Sequence, residues 1–248
     1  MITRQTYLFT LLLLICSTVF GQTAVDIFDE TCEEAISRAN KDAETGILKS
    51  ITYGLVIDPD FNLEYSKFRE IYLISKYQID SYEAGCIIIG NEECYAVQMR
   101  SLIDKKYGTD FFDTVEPEIR EIYDRFESLS SNEVQNLIDF NYIYSYGRID
   151  ERADYKDGWE QLYKELQMRI DFSNLSFELY EYERIGIQMI IDRAGAIEEC
   201  KVISTGIPEE IRTLIENTII EIGDWKPAIL YGFKVRSYNM ISFPLTRN

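Results

Sequence analysis

The stretch RIGIQMIIDRAGAIEECKVIS, residues 184–204, decides the fold of the C-terminal part of the chain. Its first half alternates in side-chain character with period two, which is typical of a β-strand that buries one face. Asp192 to Gly195 has the residue types of a tight turn, and Ala196 to Ser204 then predicts a returning strand. The stretch therefore predicts a β-hairpin whose first strand buries Ile185, Ile187, Met189 and Ile191.

Two helices and a last strand are predicted around this hairpin. The helix before it has one apolar face, which consists of Trp159, Leu162, Tyr163, Leu166 and Ile170. Pro208 opens the helix after it, whose predicted inward residues are Ile211, Leu214, Ile215, Ile219 and Ile222. A last strand is predicted from Phe233 to Phe243. This order of elements predicts an α+β domain with helices on one face of a three-stranded antiparallel sheet.

The same region, residues 156–248, resembles the TonB C-terminal domain family. An ordered set of short segments carries the resemblance: Gly158–Leu162, Ile187–Ile197, Val202–Ser204, Pro208–Ile222, Trp225–Ala228 with the sequence WKPA, Gly232–Val235, and Phe243–Leu245. The resemblance implies a TonB-like helix–hairpin–helix–strand arrangement. It does not extend to the membrane anchor, the proline-rich spacer or the Tyr-Pro pair of the family's energy transducers.

The resemblance also implies a non-catalytic protein-binding module. Members of the family bind an extended peptide by adding it as a strand beside the last strand of the sheet. In this chain the implied binding strand consists of Phe233, Lys234, Val235, Arg236, Ser237, Tyr238, Asn239, Met240 and Ile241. The implied partner is an envelope protein, with an outer-membrane receptor and a link to outer-membrane transport as one candidate. The alternative is an edge that Lys234 and Arg236 protect against aggregation. Trp225 is expected to be a core anchor rather than a ligand contact.

The first residues of the chain predict export. Arg4 precedes an apolar run of 14 residues, Tyr7 to Phe20, and Gly21 fits a cleavage site before Gln22. This is the layout of a signal peptide, and the run is shorter than the roughly 20 residues that span a membrane. We therefore expect a periplasmic or secreted mature chain without a membrane span.

Four cysteines follow the predicted signal peptide. An even number in an exported chain favours disulfides. Cys86 and Cys94 flank Gly90-Asn91, which predicts a hairpin turn, so a Cys86–Cys94 bridge is favoured. That bridge would leave Cys32 to pair with Cys200. The alternative for Cys32 and Cys200 is that both are buried free thiols.

The chain is expected to contain four regions. They are a signal peptide at 1–21, a mixed α/β domain of unknown role at 22–130, a linker with a short helix at 131–155, and the TonB C-terminal-like domain at 156–248. Within the second region, a capping box at Thr31–Glu34 predicts a helix start, and Pro117 predicts another.

The amino-acid composition limits which reactions the chain could catalyse and which partners it could bind. The chain has no histidine, which excludes Ser-His-Asp and Cys-His catalysis and the usual zinc sites. Its net charge of −18 disfavours nucleic acid as a partner. We expect no catalytic residues, no metal and no cofactor. Two alternatives stay open: a carboxylate-dependent envelope hydrolase, which needs acidic side chains with raised pKa values in one cleft, and a structural or assembly factor without peptide binding.

Overall fold

The computed structural model describes residues 30–53, 62–84, 90–170 and 184–244, so the predicted signal peptide lies outside the described residues. The chain forms two compact units. The N-terminal unit comprises Met1–Ile57 and Asp80–Phe111, and the C-terminal unit comprises Asp58–Ile79 and Phe112–Asn248. Both helices and strands are present, as the predicted α+β class requires. The units are discontinuous in sequence, whereas the predicted boundaries lay at residues 130 and 155.

Seven α-helices lie in the described ranges: α1 Cys32–Ala43, α2 Leu63–Tyr77, α3 Glu92–Tyr107, α4 Phe111–Asp124, α5 Ser131–Asn136, α6 Trp159–Arg169 and α7 Glu209–Ile222. The strands are β1 Leu48–Thr52, β2 Ile79–Glu83, β3 Ile143–Tyr144, β4 Asp154–Tyr155, β5 Arg184–Ile191, β6 Ile197–Val202, β7 Trp225–Lys226, β8 Ala228–Leu230 and β9 Phe233–Pro244. Short 3₁₀ turns occupy Phe126–Ser128 and Tyr146–Arg148. None of these helices combines the length and the apolar character that crossing a membrane requires.

A disulfide joins α1 to α3 in the N-terminal unit. Cys32 bonds to Cys94, with 5.5 Å between their Cα atoms. Both predicted pairings, Cys86–Cys94 and Cys32–Cys200, are therefore wrong. The physical reason is local: Gly90-Asn91 leads into α3 rather than into a returning strand, so Cys94 lies in the first turn of a helix. Cys86 lies outside the described residues.

Polar contacts reinforce the pairing of α1 and α3. The predicted capping box is confirmed, since the Thr31 side chain accepts from the Glu34 N–H and the Glu34 carboxylate accepts from the Thr31 N–H. Arg38 donates to Glu30 at 2.9 Å and to Glu92 at 2.6 Å. Its guanidinium lies 4.2 Å from the centre of the Tyr95 ring. These contacts hold the first turn of α3 beside α1.

The C-terminal unit is built on a sheet with the strand order β3-β9-β5-β6, and β8 also pairs with β9. The predicted hairpin is confirmed: β5 and β6 are antiparallel, with Ile187 opposite Val202 and Ile190 opposite Glu199. β5 also runs antiparallel to β9. A separate two-stranded sheet joins β4 to β7. Along the chain, α6, β5–β6 and α7 are followed by β7, β8 and β9. The prediction of a three-stranded antiparallel sheet is wrong, because the short strands β3 and β8 also pair with β9 and β3 does so in parallel.

Helices α6 and α7 cover one face of this sheet. The core contains the four β5 residues that were predicted to be buried, together with Leu162 and Leu166 of α6 and Ile215 and Ile219 of α7. Burial of each such side chain stabilises the fold by roughly 1.5–3 kcal/mol. Trp159 and Leu214 were predicted to face inward but are 37% and 43% exposed. Trp159 is the first residue of α6, and Leu214 lies about 100° around α7 from the buried Ile215.

Candidate functional site

The last strand, β9, is paired with β5 over most of its length. The pairs run from Ile191 opposite Ser237 to Arg184 opposite Pro244. Side chains alternate along β9, with Val235, Ser237 and Phe243 buried and Tyr238 and Met240 exposed by 42% and 66%. One edge of β9 is therefore occupied by β5, and the other edge decides whether a visiting strand has a place to bind.

The direction of the backbone groups of β9 follows from the pairing of β5 with β6. The Ile203 N–H donates to the Gly186 carbonyl at 2.9 Å, so the backbone of Gly186 faces β6. In an antiparallel sheet the next residue faces the other way, so the backbone of Ile187 faces β9. Ile187 lies opposite Ile241, whose backbone therefore faces β5. It follows that the N–H and C=O groups of Met240 and Ser242 point away from β5.

Strand β8 lies on the same side of β9 as β5. The Ile229 N–H donates to the Glu151 carbonyl at 2.9 Å, so the backbones of Ala228 and Leu230 face β9. Ala228 lies opposite Val235, and Val235 has the same backbone direction as Ile241. β8 thus continues the line of β5 beside the first residues of β9.

Strand β3 covers the outer edge of β9 near its start. It runs parallel to β9, with Ile143 opposite Arg236 and Tyr144 opposite Ser237. Tyr144 is fully buried, and its hydroxyl accepts from the Asp139 N–H at 3.0 Å. Pairing with β3 therefore covers Arg236 and Ser237 of the predicted binding strand. These two residues do not provide the free edge that the prediction required.

Arg236 is one of the two basic residues that could protect the edge of β9 against aggregation. In the structure its guanidinium contacts both the hairpin and the segment before β3. Its Nε lies 3.1 Å from both carboxylate oxygens of Glu198, next to the β5–β6 turn. Its Nη1 donates to the Asn141 carbonyl, just before β3. The hydrogen bond to Glu198 raises the pKa of Arg236 above its ordinary value. Arg236 thus ties the β3 segment to the hairpin.

A buried arginine also fixes the segment that contains β3. Arg148 is only 6% exposed. Its Nε donates to Glu70 at 2.7 Å, and its Nη1 donates to the Tyr142 hydroxyl at 2.8 Å. Breaking a buried ion pair of this kind is costly, so β3 is held firmly in place against β9.

The outer edge of β9 from Tyr238 to Ser242, hereafter the open edge, has no strand beside it in the described part of the chain. Arg184 reaches over β9 and donates to the Ser242 carbonyl at 2.7 Å. The Tyr163 hydroxyl donates to the Pro244 carbonyl at 3.1 Å and marks the far end. The open edge is about 17 Å long at 3.4 Å per residue, enough for a short peptide strand.

The opposite border of the sheet is covered at one end by side chains of α7. The Val202 N–H donates to Glu216 Oε1 at 2.8 Å. Arg212 donates to the carbonyls of Val202 and Ser204. These contacts satisfy the outward backbone groups at the end of β6, which is a common way to block strand addition. On the open edge of β9, the described residues provide this kind of cover only at the Ser242 carbonyl, through Arg184.

Two further residues from the sequence analysis have structural roles. Trp225 is 6% exposed and packs edge-on against Tyr155 with ring centres 5.8 Å apart, so it is a core anchor as predicted. Cys200 is a buried free cysteine. This agrees with the alternative interpretation of the sequence, in which Cys200 forms no disulfide. Burial, with the nearby charge of Glu216, raises the pKa of Cys200 to about 12. The thiol is therefore protonated at neutral pH and is a poor nucleophile.

Two carboxyl groups in the described part of the chain have pKa shifts opposite to the shift that a carboxylate-dependent hydrolase needs. Such an enzyme requires a carboxyl group with a raised pKa. Hydrogen bonds from Lys76 and Tyr72 instead hold the pKa of Glu118 below its usual value, and an Arg38 hydrogen bond does the same for Glu30. Among the described residues, no group of three or more Cys, Asp or Glu side chains could hold a metal ion.

Comparisons with protein-family models, with curated proteins and with solved structures return no match to this chain.

Proposed function

We propose that the C-terminal unit binds an extended peptide of another envelope protein, which adds as a strand along the open edge of β9. The observation that carries the proposal is the outward direction of the Met240 and Ser242 backbones at an edge where the described chain supplies no strand. Main-chain hydrogen bonds to these groups would provide affinity, and alternate side chains of the peptide would provide selectivity.

The distribution of blocked and open edges supports this proposal. β3 covers Arg236 and Ser237, and α7 covers the end of β6. The open edge begins where β3 ends, so a bound peptide would pair with β9 on the same side as β3. The exposed side chains of Tyr238 and Met240 lie beside this position and offer apolar surface to the peptide.

The resemblance to the TonB C-terminal domain family supports the same mode of binding, because members bind peptides beside their last strand. The TonB-like arrangement is itself part of the proposal. A periplasmic or secreted location fits the Cys32–Cys94 bond, since disulfides persist in oxidising compartments. In this chain the binding segment is the second half of the predicted strand, Tyr238 to Ser242, rather than its first half.

A proline at position 240 tests the proposal. Met240→Pro removes one outward N–H and leaves the hydrogen bonds to β5 in place, because the Met240 backbone points away from β5. We expect Met240→Pro to reduce peptide binding at least tenfold. The measurement is the selection of a displayed library of ten-residue peptides on the intact protein, followed by titration of a selected peptide against each variant.

The matched control is Met240→Ala, which removes the same side chain and keeps the N–H. We expect it to retain binding within about threefold, since main-chain groups provide most of the affinity. Val235→Pro is not informative, because the Val235 backbone pairs with Ala228 of β8. Equal binding by the proline and alanine variants, both folded by circular dichroism, would exclude strand addition at this edge, as would a library that yields no binding peptide.

A further inference from the structure

The C-terminal unit contains a cavity of about 490 Å³ away from the open edge. Its lining comes from α2, the end of α4, the 3₁₀ turn that follows α4, and the turn between β8 and β9. Among the described residues that line it, four are aromatic, three are acidic and none is basic. The volume lies within the range of small-molecule binding sites.

The aromatic side chains form a continuous wall. Phe68 lies at its centre, with its ring centre 5.4 Å from that of Tyr123 and 5.5 Å from that of Phe126. Phe126 in turn lies 4.8 Å from Tyr231. Adjacent rings are tilted by 55° to 75°, so ring faces and ring edges both contribute to the surface. The face of an aromatic ring carries partial negative charge and attracts cations.

The acidic side chains are Glu64, Asp124 and Glu127, and all three are exposed. None of their carboxylates takes part in a salt bridge or hydrogen bond with the described residues. Neighbouring acids on the same helices are paired: Glu116 lies 2.9 Å from Arg69, and Glu118 pairs with Lys76. Among the described residues, no salt bridge therefore compensates the negative charge at the cavity.

The position of Asp124 adds to this negative potential. Asp124 is the last residue of α4, and the last turn of α4 contains no basic residue. The C-terminal end of a helix carries partial negative charge, so an acid there is unfavourable without a cation. The aromatic ring of Tyr231 already faces an ammonium from the protein itself, since Lys67 Nζ lies 5.6 Å from its centre. Lys67 pairs with Asp150 and does not line the cavity.

We propose that this cavity binds a small organic cation, an aliphatic amine with one or more ammonium groups. The aromatic wall would contact the aliphatic chain and the charged heads, and the three carboxylates would neutralise the ammonium charge. A divalent metal ion fits less well, because the described residues contain no group of acidic side chains with metal-binding geometry. This site is independent of peptide binding at the open edge.

Calorimetric titration of the intact protein with 1,5-diaminopentane tests the proposal. We expect saturable binding at one site, with 1,5-pentanediol, a neutral molecule of the same shape, binding at least tenfold more weakly. Phe126→Leu keeps an apolar side chain but removes a ring, and we expect it to weaken diamine binding about fivefold. Asp124→Asn removes charge and keeps shape, and we expect about tenfold weaker binding.

Glu121→Gln is the matched control for Asp124→Asn. Glu121 is an exposed acid of α4 that does not line the cavity, so its loss changes the net charge equally. We expect less than a twofold effect on diamine binding. The proposal is overturned if the diamine shows no saturable binding, if the diol binds equally well, if Mg²⁺ displaces the diamine at equal concentration, or if Glu121→Gln and Asp124→Asn have the same effect.

Discussion

Replacing Gly195 with alanine is expected to lower the free energy of unfolding of the C-terminal unit by about 3 kcal/mol. Gly195 lies in the β5–β6 turn with φ of +88°, a conformation that side chains with a Cβ rarely adopt. A Cβ at this position would stand 2.0 Å from the Trp225 carbonyl oxygen. Neither backbone can move without disturbing the hairpin or the buried Trp225, so the substitution combines strain with a steric clash.

Gly232→Ala is the matched control for this prediction. Gly232 has φ of +81°, but a Cβ there would meet nothing within 4 Å. We expect it to cost only about 1 kcal/mol, from backbone strain alone. Urea unfolding followed by tryptophan fluorescence measures both variants, because both tryptophans of the chain, Trp159 and Trp225, lie in the C-terminal unit. Equal losses for the two variants would contradict the close approach of Trp225 to the turn.

Removing the disulfide is expected to destabilise the N-terminal unit by about 4 kcal/mol, according to the loop-closure entropy of a cross-link. Cys32 and Cys94 are 62 positions apart, so the bond greatly restricts the unfolded chain. In the double variant Cys32→Ala/Cys94→Ala, amide exchange in the segments of α1 and α3 should accelerate by about a thousandfold. Hydrogen exchange with mass spectrometry measures this effect.

Cys200→Ala serves as the control for the disulfide prediction, because it removes the buried thiol without breaking a cross-link. We expect unchanged exchange in α1 and α3. Peptide mapping under non-reducing conditions should recover a peptide pair that contains Cys32 and Cys94. A recovered Cys86–Cys94 pair, or exchange in α1 and α3 that is unaffected by the double substitution, would contradict this part of the structure.

Much of the C-terminal unit could be predicted from local sequence patterns. Alternation in β5 places Ile185, Ile187 and Met189 in the core, and the structure agrees because a one-residue slip would expose them all. The helical spacing of Leu162 and Leu166 likewise predicts the buried side of α6. These patterns are strong because each element buries one face against the same core.

Short and non-local features could not be predicted in this way. β3 contains only Ile143 and Tyr144, which is too short for a periodic pattern. The sequence therefore indicates only a linker at residues 131–155. The Cys32–Cys94 bond joins two helices, whereas the sequence argument paired Cys94 with its nearest cysteine. Pro117 was predicted to open a helix, but it lies inside α4, which begins at Phe111.

In the candidate site, too, local patterns could be predicted from the sequence, whereas contacts between distant parts of the chain could not. The alternation of β9 puts Tyr238 and Met240 on one face, and the structure exposes both side chains. Coverage of Arg236 and Ser237 depends on β3, which approaches from more than 90 residues earlier in the chain. The cavity at Tyr231 combines three separate segments of the chain, so no sequence motif could indicate it.

Amide hydrogen exchange along β9, resolved by NMR, shows whether the outer edge of this strand is open. In the free protein we expect fast exchange at Met240, whose N–H points outward, and slow exchange at Asn239 and Ile241, whose N–H groups face β5. Addition of a selected peptide should slow exchange at Met240 and leave Asn239 and Ile241 unchanged. If Met240 is protected as strongly as its neighbours in the free protein, the outer edge of β9 is already paired and has no place for a peptide strand.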